Sequence, residues 1–588
     1  MDSGLKRAAS ADSSFAPPGR SDWLRERMPA PYSIVAAVIA LLTAALIFAP
    51  VLVMFGKVLF PEASPNIAAF VETFSGDGLA VAARNTLLIV VFVNLTAVPT
   101  GVLFAWMNFR TDARMGALTT FLPILPLLLP SVALVIGWVF LGSDRTGFLS
   151  NAVLALLHAF GFEIDVLPVH IYGWGGLLFL YYLESMPIVY VVVAAAYRSV
   201  NPSLEEAARI NGSGVFKTFL TVSVPVVRHA ILLSMLLVSV QAVGIYSIAA
   251  IIGVPAKIPT ISVYLVRLLN GEFPPKFDQA AVLSLLLIVV FGVLWLAQQK
   301  LNAFGRHAQI GGQGIRSGVI ALNAFAKWSL RVFIIVYIAL TAVLPVMALG
   351  LVALQPYWTP DVNLAVLSFD NFRDVFGNAQ SRKAIYNSMM LAIAASLSTL
   401  LVAAVLMVYA VNAGGIRERI LGVLTKIPAP ISHMVIAAGL LISLGGAPFY
   451  LAHSPILLWL AYFVLYMPQA SIAAEAAARQ VGGQLMEASR ISGAGGAKTM
   501  RRIVLPLMLP GLAAGWALIF AHIVGELTAS VILSSPNSPV MGYLIMSIYE
   551  SGTYSQLAVL ALIIAVMSGL TVLITMAIAR PKFSNMRR

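Results

Sequence analysis

The sequence contains no cysteine, which excludes disulfides, thiolate metal sites and iron–sulfur clusters. Charge is almost as scarce. Asp, Glu, Lys and Arg together make up 10% of the 588 residues, against 60% hydrophobic types. A soluble domain carries about a quarter charged residues, so this composition implies a lipid solvent. Recognisable catalytic groupings are also missing. Gly493-Ala494-Gly495-Gly496-Ala497-Lys498-Thr499 has Ala before its Lys and the wrong spacing for a phosphate-binding loop. No His pair, carboxylate pair or nucleophile triad stands out, so the chain reads as a non-enzyme with no cofactor and no metal site. The net charge of +13 does not point to nucleic acid, because the basic residues sit between apolar runs and build no aromatic-interleaved basic face. The polar stretch Met1 to Pro31 lacks the apolar core and small-residue cleavage site of a secretory signal, and reads as a cytoplasmic N-terminal tail.

What is present is a succession of apolar runs. A hydrocarbon core about 30 Å thick needs roughly 20 apolar residues per helix. Twelve runs of that kind are expected, at 33–55, 86–108, 117–141, 174–197, 229–252 and 279–299, then 328–354, 386–411, 419–443, 455–477, 511–534 and 556–579. The tails and gaps alternate between two sides, and one side holds 28 of the 37 Lys and Arg. By the positive-inside rule that side is cytoplasmic, which places both termini there. The expected class is all-α: a polytopic membrane protein of about twelve transmembrane helices. Its divisions are a tail 1–31, a first half 32–299, a cytoplasmic linker 300–327 with a flexible Gly311-Gly312-Gln313-Gly314 joint, a second half 328–580 and a cytoplasmic C-terminal tail 581–588.

The halves repeat each other. Glu206-Ala207-Ala208-Arg209-Ile210-Asn211-Gly212 is followed by Val222-Ser223-Val224-Pro225. Glu487-Ala488-Ser489-Arg490-Ile491-Ser492-Gly493 is followed by Ile503-Val504-Leu505-Pro506. Every matched pair is 281 residues apart, and the register extends to Met186-Pro187 with Met467-Pro468, Arg198 with Arg479, and Val243-Gly244 with Val524-Gly525. Duplicated six-span halves of equal orientation make a parallel repeat about an axis along the membrane normal. Each segment, 203–225 and 484–506, reads as a helix–turn–helix. Ser203 and Glu206 form a capping box, Gly212 or Gly493 ends the first helix in the left-handed region, and Pro225 or Pro506 closes the unit.

The pattern Glu-Ala-Ala, three residues, Gly, nine residues, Ile-x-Leu-Pro resembles the EAA loop of the permease subunits of binding-protein-dependent ABC importers. Ser489 replaces the second Ala in one copy, and Val222 and Val224 replace Ile and Leu in the other. The stretches Ile171-Tyr172-Gly173-Trp174-Gly175-Gly176 and Gly525-Glu526-Leu527-Thr528-Ala529-Ser530 look like those of ferric-iron, thiamine and 2-aminoethylphosphonate permeases. The linker Ile310 to Arg316 looks like the joint of fused ferric-iron-type permeases. The resemblance implies an inner-membrane permease in which Glu206, Ala207, Ala208, Gly212, Pro225, Glu487, Ala488, Ser489, Gly493 and Pro506 couple to a cytoplasmic ABC ATPase dimer. A periplasmic binding protein would deliver the solute. Ferric iron leads among substrates, with thiamine, 2-aminoethylphosphonate or polyamine as alternatives. A twelve-helix secondary transporter would need its own acidic ion-coupling site and would leave the duplicated loops without a role. A non-transporting scaffold would explain neither the repeat nor the loops.

Ionisable groups at membrane depth usually face the bundle interior or water. Glu184 in the fourth span, Glu526 in the eleventh and His522 one turn before it are therefore candidate pathway residues, against the simpler reading of carboxyls satisfied by neighbouring helices. The positions matching Glu184 and Glu526 are Leu465 and Ile245, so such a lining is asymmetric. Pro123, Pro126, Pro130, Pro428 and Pro430 should kink the third and ninth spans. The first half also gains residues on its periplasmic side, in 142–173, where Phe148 to Leu157 suits a short interfacial helix. That insert is a candidate binding-protein contact, or simply a plug or lipid-packed element.

Overall fold

The computed structural model describes residues 30–579 apart from 62–63, 65, 116–125, 127–128, 168–169, 200–202, 304–318, 430, 482–487, 490 and 493–495. Among the described residues regular structure is helical, with two isolated β-bridges only. Nine helices among the described residues are long and apolar enough to cross a membrane, or ten if one bent pair is counted as a single span. Short polar residues set where several begin. The Asn378 side chain accepts from the N–H groups of Gln380 and Ser381 and starts Ala379–Ala413, while Ser454 caps Pro455–Gln480 through Leu457 N–H. Each side chain supplies an acceptor to donors that have no partner in the first turn.

The expected spans are met as long helices at Ala30–Leu59, Asp77–Arg110, Trp174–Ser199, Phe277–Ala303, Ala324–Leu354, Ala379–Ala413, Pro455–Gln480 and Tyr554–Ala579. Four others are corrected. The third becomes a helix at Ser131–Gly142, entered through Pro130, with most of 116–128 outside the described residues. The ninth is two helices, Gly415–Lys426 and His433–Leu444. The fifth runs Arg228–Gly244 and stops; the eleventh runs Leu505–Val524 and stops. Pro123, Pro430 and the Gly311–Gly314 joint lie outside the described residues. Proline lacks an N–H and clashes with the preceding turn; Ser131–Gly142 begins directly after Pro130, and Gly415–Lys426 ends two residues before Pro428. Pro99, Pro187, Pro468 and Pro510, by contrast, sit inside continuous helices.

The two halves interlock. The first helix of the chain, Ala30–Leu59, packs on Ala379–Ala413 and His433–Leu444, which belong to the second half. Leu344–Leu354, at the start of the second half, packs on Ser131–Gly142 of the first. Matching glycines make both contacts close. A Cβ on Gly137 would lie 2.6 Å from Pro345 Cβ, and one on Gly439 would lie 3.7 Å from the Pro50 carbonyl carbon. Tyr337 of the second half donates to Leu183 O at 2.7 Å, and Trp138 Nε1 donates to Leu340 O at 2.9 Å. Large apolar side chains such as Leu41, Leu52, Leu95, Leu401 and Leu573 are exposed on the outer helix faces, as a lipid-facing surface requires. The short helix expected in 142–173 is present at Phe148–Ala159.

Candidate functional site

The centre of the molecule is built from helix ends. Arg228–Gly244 is followed by Ile245-Tyr246 and then a short helical segment at 247–253; Leu505–Val524 is followed by Gly525-Glu526-Leu527 and then Thr528–Leu533. The ends of Ser131–Gly142 and His433–Leu444 point at these breaks. A Cβ on Gly525 would collide with Pro130, and one on Gly244 would lie 3.5 Å from Ser432 Oγ. Pro130 and Ser432 are the N-caps of the two short helices. Each half therefore sets the start of its short helix against the broken span of the other half.

A broken helix in hydrocarbon must have its freed backbone groups satisfied by protein. In the first half Ile245 O accepts from Tyr181 Oη at 3.3 Å and from Ser262 Oγ at 3.1 Å. In the second half Glu526 does this with its side chain. Its Oε2 accepts from Ala529 N–H at 2.9 Å and Ser530 N–H at 3.2 Å, and Ser530 Oγ donates to Glu526 O at 2.5 Å. Its Oε1 lies 3.3 Å from His433 Nδ1. Glu526 is therefore not mid-helix. It occupies the break and caps the helix that follows.

His522 does not pair with Glu526. Its Nδ1 meets Leu518 O at 2.7 Å, and the Tyr466 ring stands between the two imidazoles, 5.8 Å from His433 and 6.3 Å from His522. Tyr466 donates to His522 O, and Tyr462 Oη and Ser530 Oγ are 2.8 Å apart. Glu184 does lie within Trp174–Ser199, as expected, and accepts a short hydrogen bond from Ser131, the first residue of the first-half short helix. Its Oε2 is buried without a hydrogen-bond partner among the described residues. The two glutamates, unmatched in sequence, each meet the first residue of a matching short helix, Ser131 or His433. His433 was missed at the sequence level; only its place just after Pro428 and Pro430 could have marked it. Among the described residues no cluster of three or more His, Asp or Glu is arranged to hold a metal ion.

The second candidate region is the first repeated loop. Ser203–Ile210 is helical, and Gly212 adopts φ +84° at its end, in the left-handed region as expected. Val215–Val226 follows and is bent 73° from Arg228–Gly244. Glu206 lies in the first turn and is exposed, together with Ala207. The residue before it, Glu205, is the buried one. Its Oε2 is 3.2 Å from Arg110 Nε, and its Oε1 accepts from Ser223 Oγ at 2.6 Å. Arg110 also donates to Tyr197 O at 3.2 Å, and Tyr197 Oη donates to Ser223 O at 3.2 Å. Glu205 was not singled out in the sequence because the repeat hides it: its counterpart is Met486. In the second loop Glu487 and Gly493 lie outside the described residues, while Ser489 Oγ pairs with Thr499 Oγ1 at 2.8 Å and Ala488 is helical. Pro225 sits in the short turn Val224–Val226, and Pro506 opens Leu505–Val524. The second half carries a different ion-pair set, Lys426–Glu475 at 2.6 Å and Arg479 with Glu475 and Glu418. Glu418, Lys426 and Glu475 border a cavity of about 480 Å³ that reaches Ile288, Gly292 and Ile431.

Residues 97–302 match the family described as "Binding-protein-dependent transport system inner membrane component". The ferric transport system permease protein FbpB of Actinobacillus pleuropneumoniae is 24% identical over 523 residues, covering 86% of this chain and 73% of the relative. The Fe(3+)-transport system permease protein FbpB 2 of Haemophilus influenzae is 23% identical over 535 residues, covering 90% of this chain and 96% of the relative. A bacterial ABC transporter involved in the import of the acidic polysaccharide alginate, known as a crystal structure, aligns over 44% of this chain and 95% of its own at 19% identity, with a TM-score of 0.37.

Proposed function

We propose that this chain is an inner-membrane permease of a binding-protein-dependent ABC importer and that it carries ferric iron, with both halves of one chain lining a single pathway. The substrate reading is supported by relatives described as ferric permeases that span most of the chain. The pathway reading is carried by one observation: both broken spans meet the starts of both short helices, through Pro130 at Gly525 and Ser432 at Gly244. Glu184, Glu526 and His522 lie in or beside that centre, where the end-on helix geometry lets small hinge movements open and close a gap. The cargo is a hard, highly charged cation, and carboxylate, imidazole and phenol groups are chemically suited to pass it.

In this reading the halves 32–299 and 328–580 form two parallel six-span repeats joined by the cytoplasmic linker 300–327, and both tails are cytoplasmic. Segments 203–225 and 484–506 dock into a separate ATPase dimer, which hydrolyses ATP. A periplasmic binding protein presents the iron at the opposite face. The test is uptake of radiolabelled ferric iron into proteoliposomes holding this chain, its ATPase and the iron-loaded binding protein. ATP-dependent accumulation is expected. Its absence, with robust accumulation of thiamine or 2-aminoethylphosphonate through their own binding proteins, would overturn the iron assignment.

A further inference from the structure

We infer that residues 319–331, which open the second half, form a strap that ties it to the first docking loop. In this role Asp112, Lys327 and Arg110 are positioning residues for ATP-coupled transport. The inference rests on the reading of 203–225 as an ATPase-docking loop. Four residues, 110–113, carry both connections. On one side Arg110 meets Glu205 at 3.2 Å, with 3% and 5% of the two side chains exposed. The Arg110 guanidinium also lies 5.5 Å over the Tyr197 ring.

On the other side the backbone pairs with the strap. Ile320 N–H donates to Arg110 O at 2.8 Å, and Asp112 N–H donates to Ile320 O at 3.1 Å. Leu322 N–H donates to Asp112 Oδ1 at 3.0 Å, Lys327 Nζ to Asp112 Oδ2 at 2.9 Å, and Arg331 Nε to Ala113 O at 3.0 Å. A plain connector between halves would need none of these bonds.

The mechanical consequence follows from stiffness. A buried ion pair resists separation because each charge would be left uncompensated in a low-dielectric site. Movement of Glu205 with the docking loop therefore carries Arg110 and, two residues on, Asp112 and the strap. The strap leads directly into Ala324–Ile338 and then Leu344–Leu354, whose Pro345 abuts Gly137 beside the central break. One ATPase contact thus acts on both halves. The device is one-sided. With the second spans of the halves aligned at their starts, Asp77 and Ala379, the positions of Arg110 and Asp112 are taken by Asn412 and Gly414. Among the described residues Asn412 bonds back to Val408 O within its own helix.

The experiment uses the full chain with its ATPase and binding protein in proteoliposomes. Lys327→Met and Asp112→Asn are expected to lower binding-protein-stimulated ATP hydrolysis by about two- to fivefold, the range a partly exposed ion pair supports. Lys327→Arg should keep it, and basal hydrolysis and ATPase co-purification should stay at wild-type levels in all three. A second arm uses the absence of native cysteine. Asp112→Cys with Lys327→Cys should show the same loss, and a short bis-maleimide bridge between them should restore stimulation. Unchanged stimulation in the loss variants, or no recovery on bridging, overturns the strap while leaving the docking loop in place. Failure of the wild-type chain to retain the ATPase overturns the docking reading instead.

Discussion

At the scale of single residues, the side chains that matter sit at helix ends and are paired across elements. Glu526 satisfies two backbone N–H groups and faces His433. Glu526→Ala leaves those donors without their acceptor and should cost about 1–3 kcal/mol, read as a lower thermal unfolding midpoint in detergent. Glu526→Gln keeps an acceptor oxygen and should lose less. Glu205→Ala strands a buried guanidinium and should cost about 3–5 kcal/mol, whereas Glu206→Ala, exposed, should leave the unfolding midpoint near wild type.

The Lys327 ammonium, with help from the Leu322 N–H, holds Asp112 below the usual carboxylate range. A depressed folded pKa gives stabilisation that is complete above the unfolded value and fades as pH falls through the folded one. Amide protection at Ile320 and Leu322 should therefore be flat from neutral pH to about 5 and decline only near or below about 3.9, the ordinary aspartate value. Loss of protection at pH 6 would contradict this. The sequence pointed to Glu184 and Glu526 because carboxylates are rare in apolar runs. It could not point to Glu205 or His433, whose roles come from Arg110 and Glu526, residues 95 and 93 positions away.

At the scale of elements, the long helices follow from apolar length alone, and eight of the twelve expected spans are recovered as continuous helices. The interruptions do not follow. Hydropathy averages over a window and is blind to a break whose freed backbone groups are satisfied by Tyr181, Ser262 and the Glu526 carboxylate. Pro126 to Pro130 marked a disturbance, but nothing in 229–252 separated a straight span from one that stops at Gly244. The insert helix Phe148–Ala159 was legible from its apolar spacing. It leaves Leu149, Leu156, Phe160 and Phe162 exposed. Replacing 145–165 with a short Gly/Ser linker should weaken binding-protein-stimulated hydrolysis while basal hydrolysis persists. Full stimulation with an unchanged half-saturation would assign this helix to lipid packing instead.

At the scale of the whole molecule, the proposed docking role of both 203–225 and 484–506 puts two ATPase contacts on one chain. A native mass measurement of the purified complex should therefore give one permease chain for two ATPase chains; two and two would contradict it. Bulk at the seam between halves should be poorly tolerated. Gly137→Leu pushes a side chain into Pro345 and should cost about 1–3 kcal/mol by overpacking. The interlocked first spans also bear on biogenesis. Tyr32 donates to Val405 O and Lys57 to Ile442 O, across 373 and 385 residues of sequence. At about 5–20 residues per second on the ribosome, the opening helix emerges roughly 20–75 s before its neighbours are made. During that interval it has Phe277–Ala303 of its own half as a neighbour, while lipid or a membrane chaperone covers the faces that Ala379–Ala413 and His433–Leu444 later take. The amino-terminal half cannot close co-translationally, so the last step of maturation is a capture that waits for the carboxy-terminal half.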